Sequence, residues 1–104
     1  MTKRVVRNFD KTINQTFKGM RDAVVKLGFE FEKVEKDRFI IEMKTKMSYI
    51  FFGGHKYTMA ARSISEKSTQ VTITAKSDVS QNNLNELAES IFTTMDKELP
   101  ISAT

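Results

Sequence analysis

Residues 56–76 read KYTMAARSISEKSTQVTITAK, and apolar and polar side chains alternate in two runs along this sequence. The apolar positions are Tyr57, Met59 and Ala61 in the first run, and Val71, Ile73 and Ala75 in the second. Alternation with a period of two is typical of a strand that buries one face, and the threonines and valines favour strands. The polar sequence at residues 65–68 supplies a turn. The stretch therefore predicts an antiparallel hairpin with one apolar and one polar face.

Three further segments outside this hairpin have strand patterns. Lys3–Phe9 is a short candidate strand with valines at its centre. Residues 29–32 alternate between phenylalanine and glutamate, which is typical of a half-buried strand. In residues 38–47 the apolar side chains share one face, namely Phe39, Ile41, Met43 and Met47. A charged turn at residues 35–37 separates the last two, so five strands are predicted and four of them are consecutive.

Two segments have the apolar spacing of amphipathic helices. In the first, Asp10 is the expected N-cap and Gly28 the expected end. The apolar stripe between them consists of Ile13, Phe17, Met20, Val24 and Leu27. The second helix is stopped by Pro100, which cannot continue a helix. Its apolar stripe consists of Leu84, Leu87, Ala88, Ile91, Met95 and Leu99.

The elements follow the order β-α-β-β-β-β-α and predict a two-layer α+β domain. Strands with one apolar face need cover on that face, and two helices with single apolar stripes supply it. We therefore expect an antiparallel sheet with both helices on one face, and we expect the first strand to pair with the last. A chain of 104 residues is expected to form a single domain over residues 1–104, with an ordered core at about residues 3–99.

The residue types that carry most nucleophilic and metal chemistry are scarce. The chain has no cysteine, which excludes thiolate catalysis, disulfides and cysteine zinc sites. His55 is the single histidine, and no metal-ligand spacing surrounds it. We therefore expect a protein that is not an enzyme and uses no metal or cofactor. The longest apolar run is far shorter than the roughly 20 residues of a membrane span, and the first residues lack the apolar region of a signal peptide. We expect a cytoplasmic protein with no membrane span.

Residues 48–55 read SYIFFGGH and break the alternating pattern, because four bulky apolar residues stand in a row. Two interpretations stay open. In the first, the segment ends the third strand, with Tyr49 and Phe51 facing the core and only Ile50 and Phe52 needing cover. In the second, it is an apolar hairpin tip that gates a pocket, docks a protein partner or makes a homodimer contact. The candidate site combines this segment with the cleft between the sheet and the final helix, where methionine and aromatic side chains favour an adaptable apolar surface. Its residues are Tyr49, Ile50, Phe51, Phe52, His55, Tyr57, Met59 and Met95. The predicted function is a non-catalytic binding module for a protein partner or a modest apolar ligand.

The basic residues suggest an alternative function. The net charge is +4, and residues 1–28 hold seven lysines or arginines against two acids. Lysine and threonine side chains on the outer sheet face, together with the first helix, would bind the phosphates of a polyanion. The sheet residues of this alternative are Lys44, Lys46, Lys56, Arg62 and Lys76. Nucleic acid is the less favoured partner, because no aromatic side chain lies on that face to stack on bases.

The order of elements resembles the TATA-binding-protein-like, or helix-grip, architecture. That group includes the START-like and birch-pollen-allergen-like lipid binders and the C-terminal domains of the outer-membrane lipoprotein BamC. The stretch from FDKT at residues 9–12 to VVKLGF at residues 24–29 is similar to the first helix of BamC-like and small bacterial domains, which also ends in a Leu-Gly-apolar step. The resemblance implies a ligand site between the sheet and the final helix, but it places no catalytic or ligand motif on individual residues. START-like binders are usually longer, so the resemblance does not imply a large pocket here.

Overall fold

The computed structural model of the chain describes residues 3–45, 55–76 and 79–98. These residues form five strands and two helices in the predicted order. The bounds are β1 Lys3–Phe9, α1 Ile13–Lys26, β2 Glu30–Glu35, β3 Ile40–Lys44, β4 Lys56–Ser65, β5 Ser68–Ala75 and α2 Gln81–Glu98. The α+β class and the element order β-α-β-β-β-β-α are therefore confirmed.

The described strands form one antiparallel sheet in the order β1-β5-β4-β3-β2. The hairpin predicted from residues 56–76 is the centre of this sheet, since β4 and β5 lie between the other strands. β1 pairs with β5 along its whole length, with Val5 opposite Ile73, so the predicted pairing of the first strand with the last is confirmed. β1 and β2 are the two edges of the sheet.

The strand registers place apolar side chains next to one another on the inner face of the sheet. Met43 lies opposite Tyr57, and Ile41 lies opposite Met59. These four side chains are at most 1% exposed. α1 packs over β4 and α2 over β1, and the two helices also contact each other. Burying one such side chain contributes about 1.5–3 kcal/mol, so this sheet–helix interface holds the domain together.

The start of α1 differs from the prediction. The N-cap is Thr12 and not Asp10, because a glutamine stands three residues after the threonine and completes a capping box. The Thr12 hydroxyl accepts a hydrogen bond from the amide of Gln15 at 3.2 Å, and the Thr12 amide donates to the Gln15 side chain at 3.1 Å. The predicted end is confirmed: Gly28 follows the last turn with φ of 78°, a value that glycine adopts without a steric cost.

Replacing the cap residue tests this assignment. We expect Thr12→Ala to lower the free energy of unfolding by about 1 kcal/mol, because the amide of Gln15 loses the Thr12 hydroxyl as its acceptor. Urea denaturation followed by circular dichroism measures the change. Asp10→Ala is the matched control and should leave the midpoint almost unchanged; the reverse order of effects would restore Asp10 as the cap.

The edge strand β2 is less covered than its pattern predicts. Phe29 precedes the strand and is buried, whereas Phe31 and Val34 are 40% and 38% exposed. Both lie opposite buried residues of β3, so they are on the inner face of the sheet. A register shift between Phe31 and Lys33 interrupts the pairing of β2 with β3. Such irregularities are common in edge strands. The prediction of a half-buried strand, made for residues 29–32, is therefore wrong for Phe31. Val34 is exposed for the same reason, because α1 and α2 do not cover this edge.

Candidate functional site

Three residues of the predicted site belong to the closed core. Tyr57 is 1% exposed, and Met59 and Met95 are fully buried. Tyr57 and Met59 point inward from β4, while Met95 comes from the inner side of α2. The structure brings the three together as packing partners in the core. Tyr57 also lines an opening of about 280 Å³ together with Met43 and Thr74.

The other part of the predicted site lies at one end of β3 and β4. His55 precedes β4, and its carbonyl oxygen accepts a hydrogen bond from the amide of Thr45 at 3.1 Å. The intervening Tyr49, Ile50, Phe51 and Phe52 lie outside the described residues. Whether these four side chains are exposed therefore stays a prediction. The structure gives the positions of Thr45 and His55, the described residues on either side of the segment.

The outer sheet face carries both signs of charge. Lys44 and Lys56 lie opposite each other, but the Lys56 ammonium is 3.6 Å from a carboxylate oxygen of Glu32. Glu42 stands on the same face, opposite Thr58. Of the other residues predicted for this face, Arg62 donates to the Gln70 side chain, Lys76 is exposed after β5, and Lys46 lies outside the described residues. Acidic neighbours weaken the attraction of a lysine for a polyanion, so the described residues of this face form no continuous basic surface.

An opening does exist between the sheet and the final helix, at the free edge of β1. We call it the β1–α2 groove; its volume is about 260 Å³, and it is lined by Val5, Arg7, Asn85, Ala88, Glu89, Phe92 and Thr93. Its floor is apolar, because Ala88 and Phe92 are almost fully buried. The small side chain of Ala88 leaves space that a larger residue would fill. The groove lies between the sheet and the final helix, but at the sheet edge, and the residues that line it differ from those predicted for the cleft.

Arg7 fixes one side of the β1–α2 groove. Its guanidinium donates to a carboxylate oxygen of Asp96 at 2.8 Å and lies 4.8 Å from the centre of the Phe9 ring. The Phe9 and Phe92 rings meet edge to face with centres 5.8 Å apart. A cation over an aromatic face is attracted to it, so Arg7 is held in place by both the ion pair and the rings.

Two residues indicate this groove in the sequence, although neither fits the patterns from which the strands and helices were predicted. Arg7 occupies an inward position of β1, between Val5 and Phe9, where a buried strand would carry an apolar side chain. A charged residue at such a position indicates an edge whose inner face reaches solvent. Phe92 lies beside the predicted stripe of α2 and four residues after Ala88, so the two are neighbours on the helix surface.

The described residues contain no cluster of acidic, histidine or cysteine side chains that would hold a metal ion. Within the same residues, no helix combines the length and apolarity required to span a membrane.

Comparison with known proteins identifies the fold. No protein-family model matches the chain, and no curated protein is similar to it in sequence. Solved structures do match. The ZhuI aromatase/cyclase from Streptomyces sp. R1128 aligns with a TM-score of 0.64 at 9% identity, covering 99% of this chain and 98% of that one. The Aha1 dimer from Colwellia psychrerythraea aligns with a TM-score of 0.65 at 10% identity, covering 100% and 99%.

A third similar structure is norcoclaurine synthase from Thalictrum flavum in complex with a transition-state analogue. Its TM-score is 0.52 at 8% identity, and 94% of this chain and 96% of that one are covered. All three are START-like or birch-pollen-allergen-like helix-grip proteins. The chain has the helix-grip fold. The further resemblance to TATA-binding-protein-like and BamC domains stays a prediction.

Two of these similar structures contradict the prediction that the chain is not an enzyme. An aromatase/cyclase and norcoclaurine synthase are enzymes, so the expectation that this chain is not an enzyme is wrong. That expectation depended on the missing cysteine and the single histidine. These absences restrict nucleophilic catalysis, whereas carboxylates, lysines and tyrosines also act as general acids and bases. At such low identity the likeness concerns the fold and not a particular reaction.

Proposed function

We propose that the protein is a binding module that takes a modest apolar ligand, or an apolar side chain of a protein partner, in the β1–α2 groove. The observation that carries this proposal is the apolar floor of the groove, formed by Val5, Ala88 and Phe92. A volume of about 260 Å³ is slightly below that of typical small-molecule pockets, which limits the ligand to a small ring system or a short chain.

Two features of the molecule support an apolar rather than a charged ligand. Arg7, the cation of the groove, is already paired with Asp96, and Glu89 adds a second acid at the rim. The floor itself presents carbon atoms to any ligand that enters. A point mutant of norcoclaurine synthase, a helix-grip protein of similar fold, forms a complex with a transition-state analogue, which is consistent with ligand binding by this architecture.

The segment with Tyr49, Ile50, Phe51 and Phe52 is proposed as a second apolar contact. Its ends are anchored where Thr45 and His55 meet, at the same end of the sheet from which α2 begins. Protein partners include a second copy of the chain, since the Aha1 protein of similar fold is a dimer. Native mass spectrometry of freshly purified protein reports both the oligomeric state and any ligand that it carries.

A neutral fluorescent probe, N-phenyl-1-naphthylamine, tests the groove. We expect saturable binding with a blue-shifted emission, because the dye leaves water for the apolar floor. Ala88→Leu should weaken binding at least about tenfold by filling the space above that floor, and the smaller Ala88→Val should weaken it less.

Ala60→Leu is the matched control, because Ala60 lies on the outer face of the sheet. It should leave the dye affinity unchanged, and urea denaturation checks that each variant is folded. Equal affinity in Ala88→Leu and Ala60→Leu would refute the groove as the binding site.

A further inference from the structure

A second opening lies on another side of the molecule, between α1 and the turn that joins β2 to β3. We call it the α1–turn cleft; its volume is about 490 Å³. Three cations surround it: Lys18 and Arg21 come from one side of α1, and Lys36 comes from the turn. Asp37 is the single carboxylate that lines it, so the cleft has an excess of positive charge. It shares no residue with the β1–α2 groove.

These three cations differ from those on neighbouring surfaces. Arg38, in the same turn as Lys36, is paired with Glu35 at 3.7 Å, and Lys56 is paired with Glu32. Among the described residues, no carboxylate lies within ion-pair distance of Lys18, Arg21 or Lys36. Like charges three residues apart on a helix repel each other, so an anion bound between Lys18 and Arg21 would reduce their repulsion.

The floor of the α1–turn cleft is aromatic. Phe17 and Phe39 meet edge to face, with ring centres 5.4 Å apart and an angle of 87°. Phe39 has φ of 56°, an unfavourable value for a bulky residue. Its carbonyl oxygen accepts a hydrogen bond from the amide of Ala61 at 3.0 Å, which holds this backbone in place. The conformation puts the Phe39 ring against Phe17, beside the three cations.

We propose that the α1–turn cleft binds a small anion that carries an aromatic ring, such as an aryl phosphate. The unpaired cations donate to the anionic group from two directions, and Asn14 adds an amide at the rim. The two phenylalanine rings offer the ligand ring an edge and a face. This site goes beyond the function proposed for the β1–α2 groove, since it takes a charged ligand on a different surface.

Phenyl phosphate is the probe, and the titration is followed by ¹H–¹⁵N NMR at low salt. Inorganic phosphate and phenol are the matched probes, because one lacks the ring and the other lacks the charge. We expect phenyl phosphate to shift the signals of Lys18, Arg21 and Lys36 and to bind several-fold more tightly than either matched probe. Added salt should weaken the binding, since the cations are exposed.

Charge variants decide whether the cleft is responsible. Arg21→Gln should lower the affinity for phenyl phosphate about fivefold while leaving the melting temperature equal or higher, because one repulsive charge is removed. Lys67→Gln, an exposed lysine in the β4–β5 turn, is the control and should change neither quantity. Phe39→Leu should reduce the preference for phenyl phosphate over inorganic phosphate.

Three results would overturn the proposal: no signal shift at these residues, an equal loss of affinity in Arg21→Gln and Lys67→Gln, or equal affinities for phenyl phosphate and inorganic phosphate. The neutral dye test of the β1–α2 groove is independent of each of them. A negative result with phenyl phosphate therefore does not contradict ligand binding in the β1–α2 groove, and a negative result with the dye does not contradict anion binding in the α1–turn cleft.

Discussion

Met59→Ala is expected to lower the free energy of unfolding by about 2–5 kcal/mol. Met59 is fully buried in the centre of the sheet, opposite Ile41 on one side and Ile73 on the other. Removing its side chain leaves a cavity that the neighbouring strands cannot close. A domain of about 100 residues has only about 5–15 kcal/mol of stability, so the variant should be close to unfolding at moderate temperature. Urea denaturation at equilibrium measures the loss.

Two controls separate packing from ligand contact at this position. Ile64→Ala removes an apolar side chain from the same strand, but Ile64 is 50% exposed, so the cost should be well below 1 kcal/mol. Met59→Leu keeps the volume and should cost less than about 1.5 kcal/mol without changing dye binding. If Met59→Ala were no more costly than Ile64→Ala, the side chain would not be part of the core.

Phe92→Ala is expected to have a similarly large effect, about 3–5 kcal/mol. The Phe92 ring is 6% exposed, meets the Phe9 ring edge to face, and lies 5.7 Å from the guanidinium of Arg7. The variant removes the ring pair and one side of the β1–α2 groove together. Thermal or urea denaturation measures the stability, and dye titration measures the change in the groove.

Phe31→Ala is the matched control for Phe92→Ala. Phe31 is a phenylalanine on the inner face of the sheet, but it is 40% exposed on the edge strand β2. Its loss should cost about 1 kcal/mol or less and leave dye binding unchanged. A cost for Phe31→Ala equal to that of Phe92→Ala would mean that the β2 edge is covered, contrary to the structure.

The fold could be predicted from the sequence because the periodic patterns are strong. Alternation around Met59 and Ile73 places both on one face of the central hairpin, and the stripe from Leu84 to Met95 identifies the buried side of α2. Single-residue details were less predictable. Asp10 and Thr12 are both good caps, and the choice depends on Gln15, whose backbone and side chain complete the capping box.

The candidate site was harder to predict because composition alone does not distinguish a core from a pocket. Met59 and Met95 have the residue type of an adaptable binding surface, yet both are fully buried. The opening arises where two elements fail to meet fully, at an edge strand beside the small side chain of Ala88. Such a gap depends on the distance between β1 and α2, which no local pattern encodes. The same holds for the α1–turn cleft, since Lys36 joins Arg21 only after β2 and β3 fold back.

We propose that ligands bind in the β1–α2 groove and not among the buried core methionines Met59 and Met95. Methyl NMR in the presence of N-phenyl-1-naphthylamine tests this claim, because Val5 and Ala88 report on the groove while Met59 and Met95 report on the core. We predict shifts and dye contacts at the methyl groups of Val5 and Ala88, with those of Met59 and Met95 unchanged. Dye contacts at Met59 and Met95, with none at Ala88, would contradict the claim.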